Sequence, residues 1–291
     1  MNRIARNALL VAAASAVAGE YVAARYYART RGPRQFVEEE EQTAWTSMGH
    51  EAVAPVELAL FCASPAFRGA GAPRGDGAPV VLVPGFLMRG TYLRPLRAAL
   101  DRLGYRAEVA DIGRNADCFE VMTDRLLSVV NAARKATRAP VHLVGHSMGG
   151  LLARATAARE RAAVASVTVL GTPFRGLRMN PGVRVTAAAV RALTHARRGD
   201  DVRPGCLTLG CDCPSVRALA RPLPADLPQL AIVTRYDGLA DWRYGGDPAT
   251  MRVVEVTASH TGLVWNAAAC LAIAEPVAAA AAPAQAQRSE R

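Results

Sequence analysis

Pro140-Val-His-Leu-Val-Gly-His-Ser-Met-Gly-Gly-Leu-Leu-Ala-Arg154 is the stretch from which the rest of the chain can be read. Pro140–Val144 is short and, apart from His142, apolar, and it reads as a buried strand. Leu151 opens a stretch of good helix formers. Between them lies Gly145-His-Ser-Met-Gly149, followed by a third glycine, Gly150. Small residues on both sides of a serine, between a buried strand and a helix, predict a very tight strand–turn–helix junction.

Working outward, the same alternation continues in both directions. Pro79–Val83 is a second buried strand, preceded by the Gly/Pro-punctuated stretch 69–79. Tyr92–Leu103 has helical spacing and ends at Gly104. Tyr105–Ile112 reads as a strand, Glu120–Thr137 as an amphipathic helix and Val164–Leu170 as a further strand. After an interruption at 175–225, strands are expected at Gln229–Thr234 and Arg252–Thr257, then a helix from about Gly262 to Ile273. Strands alternating with helices at this spacing predict βαβ units: an α/β domain with a mostly parallel central sheet flanked by helices. The resulting division is a segment at 1–30, an N-terminal extension or linker at 31–78, the α/β domain at 79–275 with its insertion at about 175–225, and a disordered Ala/Pro/Gln-rich tail at 276–291.

The turn carries the chemistry. It pushes the Ser147 hydroxyl out at the C-terminal edge of the sheet, beside a helix N-terminus. A serine hydroxyl is a weak nucleophile; it needs a base, and the base needs an orienting acid. At junctions of this type the acid follows the serine along the chain and the base follows the acid. Of five histidines, His50 precedes the sheet, His142 lies within a strand, His146 is inside the turn and His195 is in the interruption. His260 alone follows a late strand and precedes a helix, and it is the candidate base. The acid is expected in Thr234-Arg-Tyr-Asp-Gly-Leu-Ala-Asp-Trp242. Asp237 is preferred, with Asp241 as the alternative; a turn-forming role for Asp237 is the structural alternative. Acyl transfer also needs donors for an oxyanion. The expected donors are the backbone N–H groups of Met148 and of Phe86, the latter in the loop Val83–Gly90, which could otherwise be an ordinary Pro-Gly turn.

Together these residues resemble the α/β-hydrolase fold family, in particular its lipase/esterase branch, over roughly Pro79–Ile273. The segments that carry the resemblance are Val-Leu-Val-Pro-Gly-Phe at 81–86, Val-Gly-His-Ser-Met-Gly-Gly at 144–150, Leu-Gly-Thr-Pro at 170–173, Tyr-Asp-Gly-Leu-Ala-Asp-Trp at 236–242 and Ser-His-Thr-Gly-Leu at 259–263. The resemblance implies hydrolysis of carboxylic esters, of acyl or lipid type, through an acyl-enzyme and without cofactor or metal. It also implies a cap or lid in place of the interruption at 175–225. Acyltransferase or thioesterase chemistry on the same residues, and a non-catalytic membrane-tethered binding role, remain as alternatives. Many lipases of this branch have His-Gly in the oxyanion loop; here Pro84 stands in place of that histidine, so the bracing of the loop is open. Phe86, Leu87, Met88, Met148 and Leu263 flank the expected site and could line an acyl pocket.

Composition narrows the partners. With 51% hydrophobic and 21% charged residues the chain is not intrinsically disordered as a whole, and no run of 18 apolar residues suggests a multi-span membrane protein. The net charge of +10 does not point to nucleic acid. Nearly all the bases are arginine, Lys135 being the one lysine, and residues 1–34 carry six arginines against Glu20. Arg3 and Arg6 precede the apolar stretch Ala8–Gly19, which contains an Ala16-Val-Ala18 cleavage pattern. Tyr21, Tyr26 and Tyr27 then mix with Arg25, Arg29 and Arg31. An exported chain, an uncleaved membrane anchor and a helix packed on the domain are the competing readings of residues 1–30. Of six cysteines, Cys206, Cys211 and Cys213 cluster without metal-site spacing; a disulfide from this cluster to Cys118 or Cys62 and buried thiols are the alternatives.

Overall fold

Strands β1 (Pro79–Val83) and β3 (Val141–His146) are buried along nearly their whole length, as their apolar runs predict. They pair in parallel, Val80 opposite His142 and Val83 opposite Gly145, and lie inside a six-stranded sheet. The computed structural model describes residues 45–175, 179–198 and 212–286. The segment at 1–30, with the membrane contact expected of it, and Cys206 and Cys211 lie outside the described residues. Among the described residues no helix is long and apolar enough to cross a membrane.

The other strands are β2 (Arg106–Val109), β4 (Val164–Leu170), β5 (Gln229–Val233) and β6 (Arg252–Glu255). The order is β2-β1-β3-β4-β5-β6 and every pair is parallel. Side chains alternate across the sheet with period two, so each face has its own core. Val81, Val83, Leu143, Val167, Val169 and Ala231 meet α3 (Phe119–Thr137), α4 (Met148–Arg159) and α6 (Pro214–Leu219). Val80, Leu82, Val144, Leu170, Leu230 and Ile232 meet Phe61 of α1 (Ala54–Ala63), α2 (Arg94–Arg102) and α7 (Ala267–Ala286). Between α4 and α6 along the chain runs α5 (Pro181–Arg198). His142 is a core residue on β3: its Nδ1 lies 2.8 Å from Ser166 Oγ, and burial pushes its imidazole down to about 4, so it stays neutral.

Several boundaries differ from the sequence expectation, each for a physical reason. β2 is an edge strand that stops at Val109, opposite Leu82, because its only neighbour ends one residue later at Val83. The helix expected from about Gly262 is two elements. A 3-10 turn, Thr261–Trp265, is followed by an extended Asn266, whose Oδ1 accepts the Ala269 N–H at 3.0 Å and caps α7. That helix runs on to Ala286, where a disordered tail was expected from 276; an alanine-rich sequence favours helix, and Val277 is buried against the core. The described second part of the interruption is core and not cover, since Val216, Leu219 and Leu223 pack with α3 and α4. Of the extension expected at 31–78, the described residues from 45 on are more than a linker, because a 3-10 segment, Trp45–Val53, and α1 lie against the domain.

The topology fixes where a ligand can meet the sheet. From β1 the chain moves out to β2, then returns to β3 on the other side of β1. Loops leaving β1 and β3 therefore diverge at the carboxyl edge and open a crevice there. Pro84–Gly90 and Ser147 are the residues at that crevice. Replacing fully buried Leu143 with alanine should cost about 2–5 kcal/mol by chemical denaturation, whereas Val253→Ala on the exposed edge strand should stay within about 0.5 kcal/mol.

Candidate active site

Ser147 directly follows β3 with φ +54° and ψ −126°, a conformation that L-residues avoid and that costs about 1–3 kcal/mol. Three hydrogen bonds hold it. Its N–H donates to Leu170 O at 2.8 Å, and its carbonyl accepts from Gly150 N–H at 2.9 Å and Thr172 Oγ1 at 2.8 Å. The three glycines are steric necessities. A Cβ on Gly145 would collide with the backbone of Gly149 and Gly150. One on Gly149 would lie 2.7 Å from Pro84 O, and one on Gly150 would run into the Thr172 hydroxyl. The turn sets Ser147 at the N-terminus of α4, where the helix dipole is positive.

His260 lies after β6, at the entry to the 3-10 turn Thr261–Trp265. Its Nδ1 is 2.7 Å from Asp237 Oδ2, and both side chains are within 3% of complete burial. An ionised carboxylate only accepts, so Nδ1 carries the proton and Nε2 keeps its lone pair. Asp237 follows β5 and serves two purposes: Oδ2 holds the imidazole, while Oδ1 accepts the N–H groups of Leu239 at 2.9 Å and Ala240 at 2.7 Å. The turn-forming and histidine-orienting readings of this residue are thus compatible. Asp241, the alternative acid, caps the next 3-10 turn and pairs with Arg243 instead. Burial alone would lower the His260 pKa. The charge and hydrogen bond of Asp237, with the charge of Glu51, outweigh it and leave the imidazole above its ordinary range.

The structure brings these groups to one place. The His260 ring lies against Gly171, next to the residue whose carbonyl anchors Ser147 N–H; a Cβ on Gly171 would be 3.0 Å from His260 Nδ1. Among the described residues no hydrogen bond joins Ser147 Oγ to His260. Gly85, in the loop after β1, packs against the same turn: a Cβ there would be 3.3 Å from Ser147 Cβ. Phe86 and Met148, both half-buried, therefore sit on the two backbone segments that flank Ser147. Leu263, expected as a pocket residue, is fully buried core, while Met88 is exposed.

The bracing of the loop that carries Pro84 is now visible. Gly85 N–H donates to Tyr92 Oη at 2.9 Å, and Tyr92 Oη lies 2.8 Å from His146 Nδ1. His146 Nε2 is 3.0 Å from the carbonyl of His260. A carbonyl can only accept, so Nε2 carries the His146 proton and Nδ1 accepts from the tyrosine. Burial, with a smaller contribution from the neighbouring His260, pushes His146 down to about 3 and keeps it neutral, as this chain of bonds requires. Asn115 Nδ2 holds Pro84 O at 2.8 Å from the other side. In the sequence His146 reads only as a turn residue, and no pattern singles out Tyr92 or Asn115. The same holds for Glu51 and Glu57, which reach the His260 loop from the N-terminal extension. The one available signal was that these are isolated acids in an otherwise apolar run, Ala52–Ala63 and the residue before it. His50 sits edge-on to the Tyr236 ring, 5.6 Å away, and His195 lies on α5.

The geometry can be set beside known proteins. The model of a family described as the alpha/beta hydrolase family matches residues 80–289. A triacylglycerol lipase of Burkholderia plantarii is 36% identical over 127 residues, which cover 40% of this chain and 35% of that protein. A triacylglycerol lipase of Pseudarthrobacter phenanthrenivorans is 37% identical over 109 residues, 34% of each chain. The matched region thus spans about a third of the length of these curated relatives. Among solved structures, Est1E from Butyrivibrio proteoclasticus superposes with a TM-score of 0.48 at 17% identity, over 72% of this chain and 90% of that one.

The hydroxyl of Tyr92 is the hinge of the buried hydrogen-bond chain. Tyr92→Phe should leave Gly85 N–H and His146 Nδ1 without a partner and destabilise the protein by about 1–3 kcal/mol in chemical denaturation. An unchanged midpoint would show that the chain of bonds is not formed in solution.

Proposed function

The chain belongs to the alpha/beta hydrolase family, and we propose that it is a serine hydrolase of carboxylic esters, of acyl or lipid type. The observation that carries this reading is the buried His260–Asp237 pair, 2.7 Å apart, beside a serine held in a strained turn at the carboxyl edge of the sheet. The likeness of part of the chain to two triacylglycerol lipases supports an ester substrate.

In this mechanism Ser147 Oγ attacks the ester carbonyl carbon and its proton passes to His260 Nε2. Contacts of this kind are often long in resting sites and tighten when substrate binds. Asp237 keeps the ring in the tautomer whose Nε2 is basic and stabilises the imidazolium that forms. The carbonyl oxygen, now an oxyanion, takes hydrogen bonds from the N–H groups of Phe86 and Met148, and the dipole of α4 favours the same charge. When the tetrahedral intermediate collapses, the C–O bond to the alcohol breaks and His260 returns the proton to the leaving alkoxide. Water then attacks the acyl-enzyme by the same route in reverse, releasing the acid and regenerating Ser147.

The test is turnover of p-nitrophenyl esters from short to long acyl chains by the full chain, with Ser147→Ala as control. The variant should lose about 10⁴- to 10⁶-fold in kcat. Absence of turnover on every ester by folded wild-type protein would move the reading to acyl transfer or to binding. The active base is neutral His260, whose pKa is raised. Activity is therefore expected to fall as pH drops through a midpoint above about 6.5, the ordinary imidazole value. A flat profile of kcat/KM down to pH 4 would remove His260 from this role.

A further inference from the structure

Two carboxylates from the segment before β1 grip the backbone around His260. Glu51, in the 3-10 segment Trp45–Val53, uses both oxygens. Oε1 accepts from His260 N–H at 2.8 Å and from Gly238 N–H at 3.2 Å. Oε2 accepts from Thr261 N–H at 3.0 Å and from the Thr261 hydroxyl at 2.9 Å. Glu57, on α1, accepts from Ser259 N–H at 2.7 Å through Oε1 and from the Ser259 hydroxyl at 2.5 Å through Oε2. Ser259 Oγ in turn accepts Gly262 N–H at 2.9 Å. The sequence is shaped to admit this contact: a Cβ on Gly262 would overlap the Glu57 carboxylate, 2.7 Å from Oε1 and nearer still to Oε2.

We propose that Glu51 and Glu57 are positioning residues for the base: they clamp the chain on both sides of His260, and Glu51 ties that loop to the one bearing Asp237. This rests on the serine-hydrolase reading above. Gly238 directly follows Asp237, so a single oxygen, Glu51 Oε1, bridges the backbone of the acid loop and that of the base loop. The separation of Asp237 and His260 is therefore set by the N-terminal extension as well as by β5 and β6. Displacement of about 1 Å in a group of this kind can cost a hundredfold in rate.

The clamp also has an electrostatic consequence. The charged and titratable groups that face His260 are Asp237 from the loop after β5, Glu51 from the 3-10 segment and His146 from β3; Glu57 reaches the neighbouring Ser259. His146 is neutral, so the imidazolium formed during the reaction faces two anions, and the Glu51 charge works with Asp237 to favour it. A brace that acted through shape alone would lack this second effect, and that difference makes the proposal testable.

The experiment compares full-length wild type, Glu51→Gln and Glu57→Gln, with Ser147→Ala as the activity control and circular dichroism as the check on folding. Three quantities are read: kcat and KM on the p-nitrophenyl ester that wild type turns over fastest, the acid limb of kcat/KM, and the His260 titration followed by NMR of its ring C–H. Glu51→Gln should lower kcat about ten- to a hundredfold with KM within about twofold, and should move both the acid limb and the NMR midpoint to lower pH. Glu57→Gln should lower kcat with KM unchanged. Wild-type kcat in folded Glu51→Gln, or a loss of kcat with an unmoved His260 midpoint, overturns the proposal. If Glu51→Gln does not fold, Glu57→Gln carries the test, and wild-type kcat there overturns it. The NMR midpoint needs no substrate. Lack of ester turnover in wild type would therefore defeat the hydrolase reading while the titration still judged the Glu51–His260 coupling.

Discussion

Everything at this site depends on one residue being held where its backbone does not want to be. Ser147 keeps φ at +54° at the end of the central strand, and no element of its own turn could hold it there alone. β4 supplies Leu170 O for its N–H, the loop after β4 supplies the Thr172 hydroxyl for its carbonyl, and the three glycines let these groups approach. The strain of about 1–3 kcal/mol is small against the burial of the two cores that pin β3 from both sides. The sheet is thus the device that keeps the serine presented, and the parallel order around β1 and β3 sets it at the crevice where the loops diverge.

A second constraint falls on His260, whose polar groups are almost all committed. Its N–H goes to Glu51, its carbonyl takes His146 Nε2, and Nδ1 goes to Asp237. Nε2 is the nitrogen left with its lone pair, as a general base requires. The bond to His146 continues through Tyr92 to Gly85, so the loop after β1 and the loop after β6 belong to one buried chain of hydrogen bonds. Together with the Asn115 side chain on Pro84 O, that chain braces the loop after β1. A neutral His146 is essential to it, since an imidazolium would have no acceptor for Tyr92; deep burial secures the neutral form.

The sequence carries the layer architecture and the serine turn plainly because both are local. Runs of β-branched residues make strands wherever two faces can be buried, and glycines around a serine restrict the turn to one shape. Asp237 and His260 are legible through their order along the chain and their place after strands. The rest depends on partners that no local pattern names. β2 ends where β1 ends, and the residues after 212 are core because α3 and α4 present a surface to fill. The least legible residues are Glu51 and Glu57. Glu51 bonds a backbone N–H 209 positions away, and in sequence it is an ordinary acid in a segment that reads as a linker.

Whether Ser147 Oγ is a nucleophile can be measured without a substrate. The full-length protein would be treated with a fluorophosphonate probe, which loses fluoride when a serine Oγ bonds to phosphorus, and the adduct would be located by peptide mass spectrometry. A single modified residue, Ser147, is expected, with labelling that collapses in His260→Ala. Labelling at another serine, or none in protein shown to be folded, would contradict this role for Ser147.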